Sequence, residues 1–308
     1  MGRSWGVAKL LERKEYQLAQ PTNTVIGVDA GATLVKIATR SPKGALSYRL
    51  APATALSEVA ETIRAARPER VGLTGGGAAK LEQRLDGRTL RVNEFAAWGD
   101  GAAELLRGLA QGSARRYLLV SLGTGTSVML VDGMAVSRIG GTALGGGTVV
   151  GLGAALLDRS DFSEIAGLAE RGDRRSVDLL VSDIYQPGEI PLLGDLTAAS
   201  FGKLARLDGE QAKPAREDLA HAVMGLVGEN VALICAGFGA AHQVARVVFG
   251  GSTLRHNRTL RDVLQLITAA LGYEAIFLPD GEFAGALGAL RARFSPSGPA
   301  PSLPRRAG

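Results

Sequence analysis

Two stretches of the chain, residues 24–50 and 117–139, follow one plan: strand, Gly/Thr loop, strand, turn, strand. The second stretch is the more constraining. It opens with an apolar run, 117–122, that reads as a buried strand and stops at Gly123-Thr124-Gly125-Thr126. A second run, 127–131, follows at once and meets Asp132-Gly133, which predicts a type I′ hairpin with positive φ at both central residues. A third run ends at Ile139. Then come Gly140-Gly141, Gly145-Gly146-Gly147 and an apolar helix from about Val149. Glycines with interleaved threonines let N–H groups and hydroxyls approach phosphate oxygens closely, and a helix starting just behind them adds the positive end of its dipole. The stretch fits a nucleotide phosphate cradle. Taken as one loop alone, it fits equally a hairpin with tight turns and a close-packed helix.

The first copy reads TVIGVDAGATLVKIATR, a turn at 41–44 and a third strand over 45–50. Two copies, each continuing into helical and strand segments, suggest an internal duplication with a period far longer than a solenoid repeat. The 308 residues suffice for two domains. The formal net charge of +5 suits anionic ligands, but without a clustered Lys/Arg face nucleic acid is not an expected partner. The single cysteine, Cys235, excludes an intrachain disulfide and a cysteine-based zinc site, and its apolar surroundings read as core. No uninterrupted apolar span reaches membrane length, and residues 1–20 lack the apolar core of a secretory signal, so a cytoplasmic protein without a membrane partner is expected.

Between and after the two copies the pattern alternates helix and strand. A helix is expected over 55–66 with Thr54 as N-cap, a strand over 70–73 running into Thr74-Gly75-Gly76-Gly77, and helices over 78–85 and 96–111. Ser113 and its neighbours read as the joint between halves. Helices are expected over 162–171, 177–184, 219–242, 259–271 and 284–293, and strands over 245–249 and 275–278. The Ala/Gly-rich 219–242 pattern permits close helix packing, internal or between subunits. The Pro/Ser/Gly-rich tail from Ser295 reads as disordered.

Asp29 closes the first strand and faces the first loop. It could hold hydrated Mg²⁺, which takes few carboxylates and keeps its waters, or cap a turn. Thr33 and Lys36 could reach phosphates, although Lys36, in a strand, could equally face solvent. Gly250-Gly251-Ser252, after a late strand, suits a nucleotide base or sugar. Four glycine turns, each following a strand, point together to a nucleotide held in a cleft between related domains. Glu94 opens a helix and could accept a substrate hydroxyl proton or complement the helix N-terminus. Arg138, beside Gly140-Gly141, could bind a carboxylate or phosphoryl group or lie solvated at an edge.

Beyond these readings, the elements VDAGATLVK (28–36), LTGGGA (73–78), NEFAA (93–97), SLGTGTS (121–127), SRIGGTALGGGTVVGL (137–152), RGDRRSVDLLVSDIY (171–185), GDLTAASFGK (194–203), VVFGGSTLRHN (247–257) and GEFAGALGAL (281–290) resemble, in order, the type II pantothenate kinases of the actin/hexokinase/Hsp70 superfamily. The resemblance implies an α/β fold of two related actin-like (ribonuclease H-like) ATPase domains with an interdomain nucleotide cleft. Its expected division is a leader at 1–23, domains at 24–113 and 114–293, the second carrying dimerisation helices, and a tail at 294–308. It implies ATP-dependent phosphorylation of pantothenate to 4′-phosphopantothenate, the first committed step of coenzyme A biosynthesis. It also implies ATP and Mg²⁺ as cofactors, a homodimer, and coenzyme A or acyl-CoA as a candidate feedback ligand.

By the same match Glu94 is the catalytic base, and Arg138 lies on the pantothenate side of the site. Asp29, Ala30, Gly31, Ala32, Thr33, Leu34, Val35, Lys36, Thr124, Gly146, Gly147, Thr148, Val149, Val150, Phe162 and Ser252 fall at nucleotide-site positions, with Asp29 also the metal residue. Two departures stand out. Ala32 replaces the second glycine of the usual Asp-x-Gly-Gly-Thr loop, where a methyl could crowd phosphate or forbid positive φ. Ala96 replaces an aspartate that often follows the base by two residues. The rival readings are a sugar or amino-sugar kinase of the same superfamily and a nucleotide-binding regulator that no longer turns over.

Overall fold

The computed structural model describes residues 24–85, 89–109, 115–190, 194–206 and 213–292. The expected leader at 1–23, the joint at Ser113, the end of the 96–111 helix and the tail lie outside the described residues. The first half contains β1 (Val25–Ala30), β2 (Leu34–Arg40), β3 (Leu46–Pro52), α1 (Leu56–Ala65), β4 (Arg70–Thr74), α2 (Ala78–Glu82), β5 (Thr89–Arg91) and α3 (Glu94–Leu106). The second continues with β6 (Arg116–Leu122), β7 (Thr126–Asp132), β8 (Ala135–Thr142), α4 (Gly146–Leu157) and α5 (Phe162–Ala169). Then follow β9 (Leu179–Leu180), β10 (Thr197–Ala199), α6 (Arg216–His242), β11 (Arg246–Gly250), α7 (Arg258–Ala270), β12 (Glu274–Phe277) and α8 (Ala284–Arg291).

The two five-stranded sheets share one topology. The first runs β3-β2-β1-β4-β5 and the second β8-β7-β6-β11-β12. In each, the opening strand pairs antiparallel with the second and parallel with the fourth. The plan read twice in the sequence is thus built twice. Strand β6 shows why its run is continuously apolar. Leu118, Val120 and Leu122 enter the core formed with α4–α7, while Tyr117 and Leu119 enter the core formed with α3. A strand covered on both faces has no polar side to alternate with.

Helices α3 and α8 fill the space between the sheets. Ala286 and Leu290 of α8 pack on the first sheet, and Trp98, Ala102 and Leu106 of α3 pack on the second. The two helices touch backbone to backbone: a Cβ on Gly101 would overlap the Ala284 carbonyl, and one on Gly288 would overlap that of Ala97. Helix α6 is long and apolar enough, by length and composition, to cross a membrane, but 61% of its apolar window is buried inside the protein. It is the core helix of the second half.

Three local expectations are corrected. The β7–β8 hairpin pairs Asp132 with Ala135, so its loop is Gly133-Met134, and only Gly133 has positive φ, at 60°. That is the pattern of a type II′ turn, not I′. Thr54 lies in the 3-10 turn Ala53–Ala55, and α1 begins after Ala55 without a side-chain cap. Residues 177–184 form no α-helix; they make β9 and the 3-10 turn Val181–Asp183.

Candidate active site

At the end of β1, Asp29 is 3% exposed and pairs in register with Lys36 of β2. Lys36 Nζ lies 3.4 Å from Asp29 Oδ2, and its side chain is 11% exposed, which removes the solvent-facing reading. The Asp29 carboxylate sits in a slot that no side chain could share. A Cβ on Gly75 would lie 2.6 Å from its Oδ1, and one on Gly285 2.9 Å from its Oδ2. The same position on Gly285 is 3.0 Å from Trp98 Nε1, so the Trp98 indole borders the slot.

Glu94 opens α3, four residues before Trp98 and on the same helical face. Asn93 is the N-cap: its Oδ1 accepts from the N–H groups of Phe95 and Ala96, fixing where the helix and Glu94 begin. Loss of surrounding water pushes the Glu94 carboxyl above its ordinary value. The Asp29 charge adds to this and the Lys36 ammonium opposes it. Glu94, Asp29 and Lys36 therefore form one electrostatic unit.

The second half brings three loops to the first. Thr33 Oγ1 and Thr124 Oγ1 are 2.9 Å apart. Gly146 N–H donates to Gly123 O at 2.8 Å and Gly147 N–H to Thr124 O at 2.9 Å, so the start of α4 is pinned to the loop after β6. Those two N–H groups are thereby committed within the protein, contrary to the expectation that the glycine loop offers them to phosphate. Thr148 Oγ1 bonds Ala143 O and Gly145 N, capping α4 locally. Val149 is buried and Val150 half-buried, both in the helix behind. The 3-10 turn Ser252–Leu254 closes the group, since Thr253 Oγ1 donates to Gly123 O at 2.7 Å. Among the described residues the N–H groups of Ala32, Thr33, Thr124 and Gly125 have no backbone acceptor outside the ladders.

Ala30, Leu34 and Val35 support the first loop from β1 and β2; Ala30 and Val35 are buried. Gly31 lies under Lys36, whose Nζ would be 2.8 Å from a Cβ there. Ala32 is exposed and does not have positive φ, so its methyl imposes no backbone strain. Ser127 and Arg138 share the α3 side of the second sheet, with Arg138 Nε 3.5 Å from Ser127 Oγ. A bulge in β8, where Met129 faces Arg138 and Val128 faces Gly140, leaves Ile139 unpaired beside them. Phe162 opens α5 and packs on the core between the second sheet and its helices.

The sequence did not single out Thr253, Trp98, Gly285 or Asn93. Asn93 and Trp98 carried signals, a capping residue type and an i,i+4 spacing from Glu94. Thr253 and Gly285 carried none. The residues 171–185 form a separate strut. Arg174 NH2 lies 2.6 Å from Glu229 Oε1 and NH1 3.8 Å from Asp178 Oδ2, all three being buried.

The donor set suits a hydrated divalent ion better than a caged one. Asp29 offers one carboxylate in a slot, and no group of three or more His, Cys, Asp or Glu residues that could hold a metal occurs among the described residues. The hydroxyls of Thr33 and Thr124 and the Lys36 ammonium are of the kind that meets phosphate oxygens.

Comparison with known proteins adds the family. The family model Fumble matches residues 47–292. A type II pantothenate kinase of Staphylococcus haemolyticus is 36% identical over 266 residues, covering 86% of this chain and 98% of that protein. Among solved structures, the activator of 2-hydroxyisocaproyl-CoA dehydratase from Clostridium difficile with bound ADPNP aligns with a TM-score of 0.57 at 16% identity, covering 87% of this chain and 92% of its own. A ROK family glucokinase from Streptomyces griseus in complex with glucose and AMPPNP aligns with a TM-score of 0.54 at 14% identity, covering 87% and 98%. At such identities these structures speak for the fold, which is that of the actin-like ATPases. The chain belongs to the Fumble family, that of the type II pantothenate kinases.

Proposed function

We propose that this protein phosphorylates the 4′-hydroxyl of pantothenate at the expense of ATP, the first committed step towards coenzyme A. The observation that carries the reading is the junction of Asp29, Lys36 and Glu94 with the Thr33–Thr124 contact, in a chain that matches a type II pantothenate kinase along nearly all of that protein's length. Bound magnesium ATP would supply the phosphoryl group, and phosphoryl transfer asks the protein mainly for alignment and charge neutralisation. In this reading Asp29 holds the metal through its water shell. Lys36, Thr33 and Thr124 meet phosphate oxygens, and the Ser252 turn lies towards the nucleoside. Glu94 takes the proton from the substrate hydroxyl, and Arg138 receives the pantothenate carboxylate.

Residues 24–113 and 114–293 are the proposed two domains. A homodimer through the second half, a cytoplasmic setting and coenzyme A or its thioesters as feedback ligands complete the proposal. Leu233 on α6, 48% exposed, is available to such an interface. Coupled ADP release across pantothenate, pantetheine and a sugar panel tests the reaction. Pantothenate-dependent release is expected. Release that depends on a sugar would transfer the assignment to a sugar kinase, and ATP binding without release to any acceptor would make the protein a regulator.

A further inference from the structure

Trp98 is 4% exposed and stands on the face of α3 that also carries Glu94. A glycine makes room for its indole at each end. At the six-membered ring, a Cβ on Gly250, the last residue of β11, would lie 3.3 Å from Cζ3. At the five-membered ring, a Cβ on Gly285, in the first turn of α8, would lie 3.0 Å from Nε1. The indole thus reaches from the end of a strand in the second sheet to the slot beside the end of β1. A ring enclosed in this way cannot turn to find another partner.

A buried indole N–H ordinarily has an acceptor, because an unpaired one forfeits the hydrogen bond it made with water. The N–H of Trp98 has none among the described residues. Its neighbour across Gly285 is Asp29. The same Cβ position on Gly285 lies 3.0 Å from Trp98 Nε1 and 2.9 Å from Asp29 Oδ2, so donor and carboxylate oxygen flank one residue, within the span of a single water. Oδ2 is also the oxygen that faces Lys36 Nζ at 3.4 Å. The ammonium from β2 and the indole from α3 therefore bear on the same oxygen.

We propose that Trp98 is a positioning residue for Asp29: its N–H, directly or through one bound water, holds Oδ2 and so fixes the carboxylate that meets the hydrated magnesium ion of the nucleotide. The inference rests on the kinase reading above. A divalent ion that keeps most of its waters takes few carboxylates, so the placement of each one matters. A carboxylate held through one oxygen keeps the other for the water shell.

The test measures binding, not turnover. ATP is titrated by calorimetry into the full-length protein, once with magnesium and once with EDTA. The forms compared are wild type, Trp98→Phe, Asp29→Asn and the double variant, each with a melting curve. Phenylalanine keeps a packed ring and removes the donor. Trp98→Met, which fills irregular space and donates nothing, replaces it if the phenylalanine form does not fold. Trp98→Phe should bind magnesium ATP roughly tenfold more weakly, with ATP in EDTA unchanged. In the Asp29→Asn background the same substitution should add no further loss, because residues that act through one another are not additive. A spectroscopic arm uses Trp5→Phe, which leaves Trp98 as the sole tryptophan. Magnesium ATP should shift its emission more than ATP in EDTA does.

Equal losses with and without magnesium would make Trp98 a packing residue and overturn the proposal. So would a loss that persists undiminished in the Asp29→Asn background, an unchanged affinity for magnesium ATP, or an emission that responds alike with and without the metal. A wild-type protein that does not bind magnesium ATP would overturn the kinase reading itself, and the proposal with it.

Discussion

The hydroxyl oxygens of Thr33 and Thr124 lie 2.9 Å apart, although 91 positions separate them in the chain. Each belongs to the Gly/Thr loop after the first strand of its half, so the duplication turns its two loops face to face. A hydroxyl that serves a phosphate loses that service, and little else, when replaced by valine. Hydrogen bonds to charged groups contribute about 1.5–3 kcal/mol. Thr33→Val and Thr124→Val should each weaken ATP binding by roughly tenfold to a hundredfold. Both residues are exposed, so the melting temperature should hardly move. Calorimetry with ATP checks this; full affinity in both variants would leave the pair as a contact between halves and nothing more.

Ala32 is where the first loop of this chain departs from the Asp-x-Gly-Gly-Thr pattern. Its exposed methyl and ordinary φ remove one of the two reasons for concern. If the loop is adapted to alanine, Ala32→Gly should leave ATP affinity unchanged and cost about 0.4–1 kcal/mol of stability through the entropy of the unfolded chain. Titration and a denaturant melt on the same preparations decide. Tighter ATP binding in the glycine form would mean that the methyl crowds the phosphates.

Arg138 stands at the bulge of β8, on the sheet face that meets α3, with Ser127 as its near neighbour. Arg138→Ala should raise the pantothenate KM or lower kcat by far more than it alters ATP affinity. Arg138 is exposed, so losing its carboxylate partner corresponds to the charged hydrogen-bond scale of about 1.5–3 kcal/mol. Unchanged kinetics with pantothenate would return Arg138 to a solvated edge.

Much of this architecture was legible, for physical reasons that also mark where legibility stops. The apolar runs of β1 and β6 are buried on both faces, so they stand out as continuous. Residues 177–184 misled because Val177, Leu180, Val181 and Ile184 repeat with helical spacing. Their polar neighbours settle the matter differently: Asp178 Oδ1 accepts from Phe201 N–H and Asp183 Oδ2 from Leu180 N–H, and such bonds compete with a helix. At Asp132-Gly133 the dipeptide marked the hairpin, but the strand register chose which two residues form its loop. The glycine loops could be read one by one. Their convergence on one cleft could also be expected from their shared place after strands, but not the contact that locks them, because the Thr253–Gly123 bond spans 130 positions and follows from sheet order.

The strut on α6 offers a stability test remote from the chemistry. Arg174 serves two buried carboxylates, Glu229 and Asp178. Desolvation pushes the Asp178 carboxyl above its ordinary value, with Arg174 among the groups that oppose it. Arg174→Met leaves both acids without their cation and should cost about 3–5 kcal/mol at neutral pH. Without the arginine the folded-state value of Asp178 rises further. A raised carboxyl contributes stability below its unfolded value and loses it as pH rises through the folded one. The deficit should therefore grow with pH and shrink in acid. Denaturant melts across that range check it, and a deficit independent of pH would point to lost packing instead.

Glu94 carries the most direct test of the chemistry. A general base works only when deprotonated, and partial loss of water around the Glu94 carboxyl, with the Asp29 charge adding to it, holds the Glu94 proton above the ordinary glutamate range although the residue is exposed. Activity should accordingly fall as pH drops through that raised value, which places the acid limb of kcat/KM above that of an ordinary glutamate. Its neighbours set the direction of further shifts. Lys36→Met removes the ammonium that favours the carboxylate, so the limb should move to higher pH; Asp29→Asn removes a like charge, so it should move lower. Both variants also weaken nucleotide binding in the proposed site, so the reading is taken at saturating ATP and rests on the midpoint of the limb, not on its height. Glu94→Gln should lower kcat by about a hundredfold to ten-thousandfold and abolish that limb. The raised folded value means the ionised carboxylate adds nothing to folding at neutral pH, so Glu94→Gln should melt no earlier than wild type. Near-wild-type turnover in Glu94→Gln, or a limb that ignores Lys36 and Asp29, would remove Glu94 from the proton transfer and leave it as the acidic residue that opens α3.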